Sequence, residues 1–341
     1  MTQIESDFDQ LDHSEQLRRL GELAGQATGL YDLPGDVTVE MINLSENATY
    51  KVTRPGASDQ WALRVHRAGY HSDAAIASEL AWVQALRQDG AAVTPVPIPG
   101  KDGELIQKAA HDLVPGGRRV VLFEWEAGSE PSEADHNLGE WFETLGETTA
   151  HMHRHVHAWQ KPAGFERLTW DFETSLGDRP HWGRWRDGMG MTAEAESLIG
   201  QTCDLIARRL EGFGKGPERF GLIHCDMRLA NLLIDGDASK VIDFDDCGFS
   251  WLMYDCATTV SFFEHEPQVP DLIRAWVKGY RRIAELPADD EAEIPTFVML
   301  RRLLLVAWIG SHSETELAQD MGVQYTQDTL GLCRNYMKGF G

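Results

Sequence analysis

No C-x-x-C pair occurs among the five cysteines, Cys203, Cys225, Cys247, Cys256 and Cys333. An odd number in so long a chain excludes a disulfide framework and fits a reducing, cytoplasmic setting. Basic residues are scarce: 31 Lys and Arg stand against 54 Asp and Glu, a formal charge of −23. A nucleic-acid partner needs a basic footprint, so that class is excluded. No apolar run is long enough to cross a bilayer: the longest, residues 303–309, is far short of the ~20 residues required. The opening stretch MTQIESDFDQ lacks the apolar core of a signal peptide. Internal repeats, low-complexity tracts and a flexible interdomain linker are also missing. What these absences leave is a protein with no membrane and no nucleic-acid partner. Its acidic field favours cationic small molecules, although solubility explains the same charge.

At 341 residues, with 42% apolar and 25% charged residues, the chain suits two lobes, each with its own core. The most informative stretch runs LIHCDMRLANLLI over 222–234, followed by VIDFD over 241–245. Residues 232–234 and 241–244 read as strands, and 235–239 as the hairpin turn between them. With the turn centred on Asp237, Asn231 and Asp243 are expected opposite each other. Opposed residues lie ~5 Å apart at Cβ, so both could give oxygen to one hard cation such as Mg²⁺. Asp226 lies five residues before Asn231, on the loop entering the first strand. The spacing H-x-D-x-x-x-x-N, with an aspartate one hairpin later, is the layout of ATP-dependent phosphoryl transfer. Asn231 and Asp243 supply the metal site, Asp226 accepts the hydroxyl proton, and Arg228 reaches the γ-phosphate or keeps Asp226 ionised. Turn and cap residues of an ordinary hairpin would account for any one of these alone.

The stretch resembles the aminoglycoside phosphotransferase family, which includes choline kinases, a bacterial homoserine kinase and a bacterial stress-response protein kinase. The family loop reads H-G-D-x-H-x-x-N, then I-D-F/W-D/E. His224, Asp226, Asn231, Ile242, Asp243, Phe244 and Asp245 match. Cys225 replaces the glycine and Arg228 the second histidine. The resemblance implies an α+β, protein-kinase-like fold of two lobes. These are a small antiparallel-sheet lobe over 1–125, holding nucleotide, and a mainly helical lobe over 126–341, with the catalytic loop, metal site and acceptor site.

In the first lobe, Leu17, Leu20, Leu23, Ala24 and Ala27 recur at helical spacing, giving a helix that stops at Gly29, and strands follow over 37–42, 50–53 and 61–66. The loop between the first two carries no glycine, unlike the phosphate loop of protein kinases. The resemblance gives Ser45, Asn47 and Thr49 a phosphate role there, while a plain hairpin connection explains them equally well. Arg64 stands in the third strand, and Glu79 on the buried side of a helix over 73–88. A glutamate turned towards a sheet needs a partner, and Arg64 is the natural one, in place of the lysine of kinases. Two more strands are expected over 104–107 and 119–124. By resemblance, backbone groups near Glu124 and Glu126 lie at the hinge and bind adenine.

Residues 134–160 read as a helix. Its i,i+4 histidines, His151/His155 and His153/His157, have a zinc-compatible spacing but no third ligand, so solvated histidines are expected. The aromatic-rich stretch 161–190 closes over acceptor, packs against the lobe, or does both. Helices are expected over 197–210, 251–263, 270–285, 292–309 and 327–338. Asp255 and Glu264 either bind a substrate amine or lie on an exposed face. The function expected is ATP- and Mg²⁺-dependent transfer to a hydroxyl of a small, amine-bearing metabolite. The alternatives are a protein serine/threonine kinase of the stress-response type, a nucleotide-binding scaffold without turnover and, more weakly, a metal hydrolase.

Overall fold

The computed structural model describes residue 8 and residues 11–44, 46–236 and 238–341. Ser45 and Asp237 lie outside the described residues. The chain folds into two compact units. The first runs up to Ala85 and takes in Pro95–Ala127 and Pro162–Glu166; the second comprises Leu86–Thr94, Gly128–Lys161 and Arg167–Gly341.

The first unit is an antiparallel sheet with a helix on each face. Strands β1 (Thr38–Leu44), β2 (Ala48–Thr53), β3 (Gln60–Val65), β4 (Pro97–Ile98), β5 (Gln107–His111) and β6 (Val114–Glu124) lie in the order β1-β2-β3-β6-β4, with β5 paired to β6. Alternation sorts the side chains. Tyr50, Val52, Leu63, Val65, Val120 and Leu122 pack with Leu23, Ala24 and Ala27 of helix α1 (His13–Ala27). Val121 and Phe123 face the other way, onto Ile76 and Leu80 of helix α2 (Asp73–Gln88). The strand expected over 104–107 begins instead at Gln107, and its partner begins at Val114 rather than 119. The Pro115-Gly116-Gly117 run lies within β6 where the register shifts. Both glycines have positive φ, and a Cβ on Gly117 would sit 2.4 Å from the Ala109 carbonyl oxygen, so the bend requires glycine.

The second unit is mainly helical: α3 (Leu138–Ala158), α4 (Ala193–Phe213), α5 (Leu252–Thr258), α6 (Val269–Tyr280), α7 (Ala288–Ser311) and α8 (Glu316–Phe340). Three short strands form a small sheet in the order β7 (Leu168–Thr169), β11 (Gly248–Trp251), β8 (Phe220–Ile223). A separate hairpin joins β9 (Leu232–Asp235) and β10 (Ala238–Val241). Helices α3 and α6 meet backbone to backbone. A Cβ on Gly146 would lie 2.0 Å from the Trp276 carbonyl oxygen, and one on Gly279 1.9 Å from that of Glu143. Helix α8 starts earlier than the expected 327 and absorbs the extra length in a kink at Gly322 (φ 50°). Helix α7 is long and apolar enough to cross a membrane by composition, but 78% of that window is buried inside the protein. It is therefore the unit's core helix, and Arg301 and Arg302 are buried within it.

Candidate active site

Strand β8 delivers the chain into the loop 224–228. Leu222 and Ile223 are fully buried, and Ile223 is registered opposite Gly248 of β11. The loop is then gripped from helix α5. The buried Asp255 carboxylate accepts from the backbone N–H of Cys225 (2.7 Å) and of His224 (3.2 Å). Thr258 Oγ1 accepts from Met227 N–H at 2.8 Å. Asp255 is itself steadied by His153 Nε2 at 3.1 Å, and His153 Nδ1 lies 3.1 Å from the Tyr280 hydroxyl. Since Nε2–H donates to a carboxylate, Nδ1 accepts from Tyr280. Asp255 is thus a tether of the loop rather than a substrate contact. His153 is buried rather than solvated, because this acid needs its ring. His155 bonds the Asp89 carboxylate at 3.0 Å, so one histidine of each i,i+4 pair is committed to a carboxylate.

Cys225 has φ +67°, in the region that side chains avoid at a cost of ~1–2 kcal/mol. Its thiol is buried, 3.7 Å from the Gly248 carbonyl oxygen, and burial, with Asp255 nearby, pushes its pKa well up. His224 Nδ1 accepts from Asp226 N–H at 3.2 Å, so its Nε2–H donates to the Ile242 carbonyl at 3.1 Å.

Asp226 is buried and carries three charged or amide partners. Oδ2 accepts from Asn231 Nδ2 (2.7 Å) and Arg228 Nε (3.2 Å). Oδ1 is ion-paired with Arg301. Burial alone would raise the carboxyl's pKa. The charges of Arg301 and Arg228, with the Asn231 hydrogen bond, outweigh it and hold the pKa below the usual range. Arg301 is the residue that sequence reading missed. The available signal was two arginines inside an otherwise apolar helix, which must each find a buried acid. Arg302 finds Glu264 at 2.7 Å, so Glu264 serves the core and not a substrate amine.

The β9–β10 hairpin corrects one expectation. Leu232 pairs with Val241 and Asp235 with Ala238, so the register centre lies between positions 236 and 237. A one-residue slip moves every cross-strand partner. Asn231 then stands against Ile242, whose N–H donates to the Asn231 carbonyl at 2.9 Å, and not against Asp243. Asn231 lies in a short 3₁₀ turn, and β10 ends at Val241. Asp243 follows with φ +60°, which turns the chain out of the ladder. Asn231 and Asp243 are therefore neighbours through Ile242, not an opposed pair. The turn after Asp243 is held from the stretch 161–190. Arg167 donates to the carbonyls of Cys247 (2.6 Å) and Asp245, and Trp170 Nε1 to that of Asp246 (2.8 Å). Trp170, Trp182 and Trp185 are buried, so this stretch packs.

In the first unit, Arg64 Nη1 meets Glu79 Oε1 at 2.6 Å with both side chains buried, and the guanidinium lies 5.4 Å from the Phe123 ring centre. Thr49 is opposite Arg64 in the β2–β3 register. Asn47 is buried and its Oδ1 accepts from Arg67 N–H at 3.1 Å, a chain-bracing contact. Glu124 ends β6 exposed, its N–H donating to the Val96 carbonyl, and Glu126 is half-buried.

A two-sided antiparallel sheet unit, a helical unit, and an aspartate–asparagine loop followed by a second aspartate define a protein-kinase-like phosphotransferase. Residues 40–286 match the phosphotransferase enzyme family, and the chain belongs to that family. A microcompartment-associated aminopropanol kinase of known structure is 44% identical, with 94% of this chain and 98% of that one covered and a TM-score of 0.86. The amicoumacin kinase of Bacillus subtilis (strain 168) is 24% identical over 89% of this chain and 87% of its own. The structure of an amicoumacin kinase in complex with AMP-PNP, Ca²⁺ and Ami superposes with a TM-score of 0.73 at 22% identity, covering 96% and 95%. The protein is an ATP-dependent kinase that phosphorylates an alcohol group.

Proposed function

We propose that the protein transfers the γ-phosphoryl group of ATP, with Mg²⁺, to the hydroxyl of a small alcohol that also carries an amine. Asp226 carries the reading. It is a buried carboxylate kept ionised by Arg301 and Arg228, placed on the loop between two strands. In the transfer, the acceptor oxygen bonds to the γ-phosphorus, the bond to the bridging oxygen of ADP breaks, and the hydroxyl proton goes to Asp226. A carboxylate held this acidic is a weak base. It orients the hydroxyl first and takes the proton late, which suits a loose transition state with little bond formation.

The donor set suits a hard cation: the Asn231 amide turns its Nδ2 to Asp226, so its Oδ1 would be one oxygen ligand, and the carboxylate of Asp243 would be a second. A divalent cation held there would neutralise charge on the transferring phosphates. Arg228, two residues beyond the base, steadies the phosphoryl group with the guanidinium nitrogens not held by Asp226. In the first unit, Arg64 is assigned to a nucleotide phosphate while Glu79 fixes its direction, with Thr49 beside it. Ser45 and Asn47 belong to the same loop, and the backbone at Glu124 and Glu126 is assigned to adenine. The acceptor class is supported by the likeness to aminopropanol kinase and by the net charge of −23, which attracts ammonium groups.

The test measures ADP formation with amino alcohols, amino acids and aminoglycosides, each beside a matched alcohol without the amine. We expect amine-bearing alcohols to be favoured in kcat/KM by about tenfold or more, worth ~1.4 kcal/mol. Equal turnover of 1-amino-2-propanol and propane-1,2-diol would refute the acceptor class. Asp226→Asn should lower kcat by about 10²–10⁴-fold with AMP-PNP affinity retained.

A further inference from the structure

Asp226 has two oxygens and about four lone-pair positions. Oδ2 already holds two donors, Arg228 Nε and Asn231 Nδ2. Oδ1 holds one, Arg301 Nη2. The oxygen with room for an incoming hydroxyl is therefore Oδ1, the one gripped by Arg301. That guanidinium is in turn fixed on several sides. Its Nε donates to Ser261 Oγ at 3.0 Å, its plane lies 5.3 Å from the Trp182 ring centre, and Tyr254 interacts with its charge. An arginine fork held this way sets the direction of the carboxylate it binds, which an ammonium point charge does less well.

We propose that Arg301 is a positioning residue for phosphoryl transfer: from helix α7 it aims Oδ1 of Asp226 at the acceptor hydroxyl. The inference rests on Asp226 being the group that receives the hydroxyl proton. Arg302, the next residue on the same helix, provides an internal comparison. It is as deeply buried and forms its own ion pair, but with Glu264, Thr329 and the Tyr325 carbonyl, away from Asp226. Losing Arg302 removes a buried ion pair without touching the base.

The experiment compares Arg301→Gln, Arg301→Lys, Arg301→Ala, Arg302→Gln and Asp226→Asn. It reads kcat, both KM values and AMP-PNP binding under conditions where each protein is folded. For Arg301→Gln we expect kcat to fall by about 10²-fold or more, with both KM values within about threefold, because positioning of the base is felt in the transition state. Arg301→Lys should fall in between. Guanidinium or methylguanidinium added to Arg301→Ala should restore kcat by about tenfold while leaving Asp226→Asn unchanged, because only the former has an empty cation position. Arg302→Gln should lose stability and keep kcat within about threefold. Wild-type kcat in Arg301→Lys, together with the same kcat in the Gln variants of both arginines, overturns the proposal. An Arg301→Ala protein that binds AMP-PNP but is not rescued also overturns it. If Arg301→Gln does not fold, Arg301→Lys and the rescue decide. Full activity in Asp226→Asn would instead overturn the reading of the base itself.

Discussion

Asp255 offers the sharpest test of how the loop that carries Asp226 is held. Its carboxylate accepts from Cys225 N–H, His224 N–H and His153 Nε2–H, and it is fully buried. Asp255→Asn keeps the shape but replaces one oxygen with an amide donor. The remaining oxygen can hold Cys225 N–H; the new NH₂ then faces His224 N–H, donor against donor. An orphaned buried donor costs ~1–3 kcal/mol. His153 can change tautomer and accept from the amide, with the Tyr280 hydroxyl accepting in turn, so that end adds little. The expected loss is ~2 kcal/mol for Asn. It is ~3–5 kcal/mol for Asp255→Ala, which strands both loop N–H groups and leaves His153 without its acid. The effect reaches activity because Cys225 is kept at φ +67° against ~1–2 kcal/mol of strain. Once its N–H is unheld, the residue relaxes and carries Asp226 with it. A displacement near 1 Å costs about 10²-fold in rate, and kcat in the Ala variant should fall by that order. The assays are equilibrium denaturation and steady-state ADP formation on the same preparations. Stabilities within ~0.5 kcal/mol of wild type, with kcat unchanged, would show that the loop does not depend on this tether.

Four further outcomes are expected. Arg64→Ala should cost about 3 kcal/mol by stranding a buried Glu79 and raise the KM for ATP, with the acceptor KM unchanged; wild-type ATP kinetics would remove Arg64 from nucleotide binding. Asp243→Ala should abolish metal-dependent turnover and weaken binding of the nucleotide–metal complex, read by calorimetry against the metal-free nucleotide. Cys225→Val places a β-branched side chain at positive φ and should lower the melting temperature well below that of Cys225→Gly, which relieves ~1–2 kcal/mol of strain; equal melting would contradict the backbone argument. For Asp171, burial raises the pKa, but Lys215 at 2.6 Å and the Thr174 N–H outweigh it and leave the pKa depressed. Its stabilisation is thus present above the ordinary Asp value near pH ~4 and lost as pH falls through the folded value. The stability gap between wild type and Asp171→Asn should therefore shrink below pH ~4, and a gap independent of pH would refute the assignment.

The parts that were legible in the sequence are those fixed by short-range pattern. Alternation in β3 put Arg64 on the face away from Leu63 and Val65, and a buried glutamate at helical spacing supplied its partner. The order His224, Asp226, Asn231, Asp243 marked the candidate site because each residue type suits a duty in phosphoryl transfer. What was not legible depended on long-range packing or on backbone exceptions. The hairpin register turned on one residue, which no apolar pattern in so short a pair could specify. Arg301 meets Asp226 from 75 positions away in sequence, and only its incongruity among apolar neighbours hinted at a role. Asp255 and Glu264 could be read only as substrate contacts or surface acids because their buried partners, His153 and Arg302, come from distant helices. Strand β6 begins ahead of the expected Arg119 because Gly116 and Gly117 let the chain bend inside it.

The bare backbone contact between α3 and α6 has a consequence for how this enzyme can diverge. Where side chains separate two helices, a mutation that enlarges one can be absorbed by shrinking another, and spacing can drift through viable intermediates. At Gly146 and Gly279 no side chain stands between the helices to be traded. Any larger residue at either position must push the pair apart in one step. The same two helices carry His153 and Tyr280, so that step would also shift the supports of Asp255 and the loop it holds. New acceptor preferences are therefore open to the chain through its loops, while this helix pair is closed to gradual change.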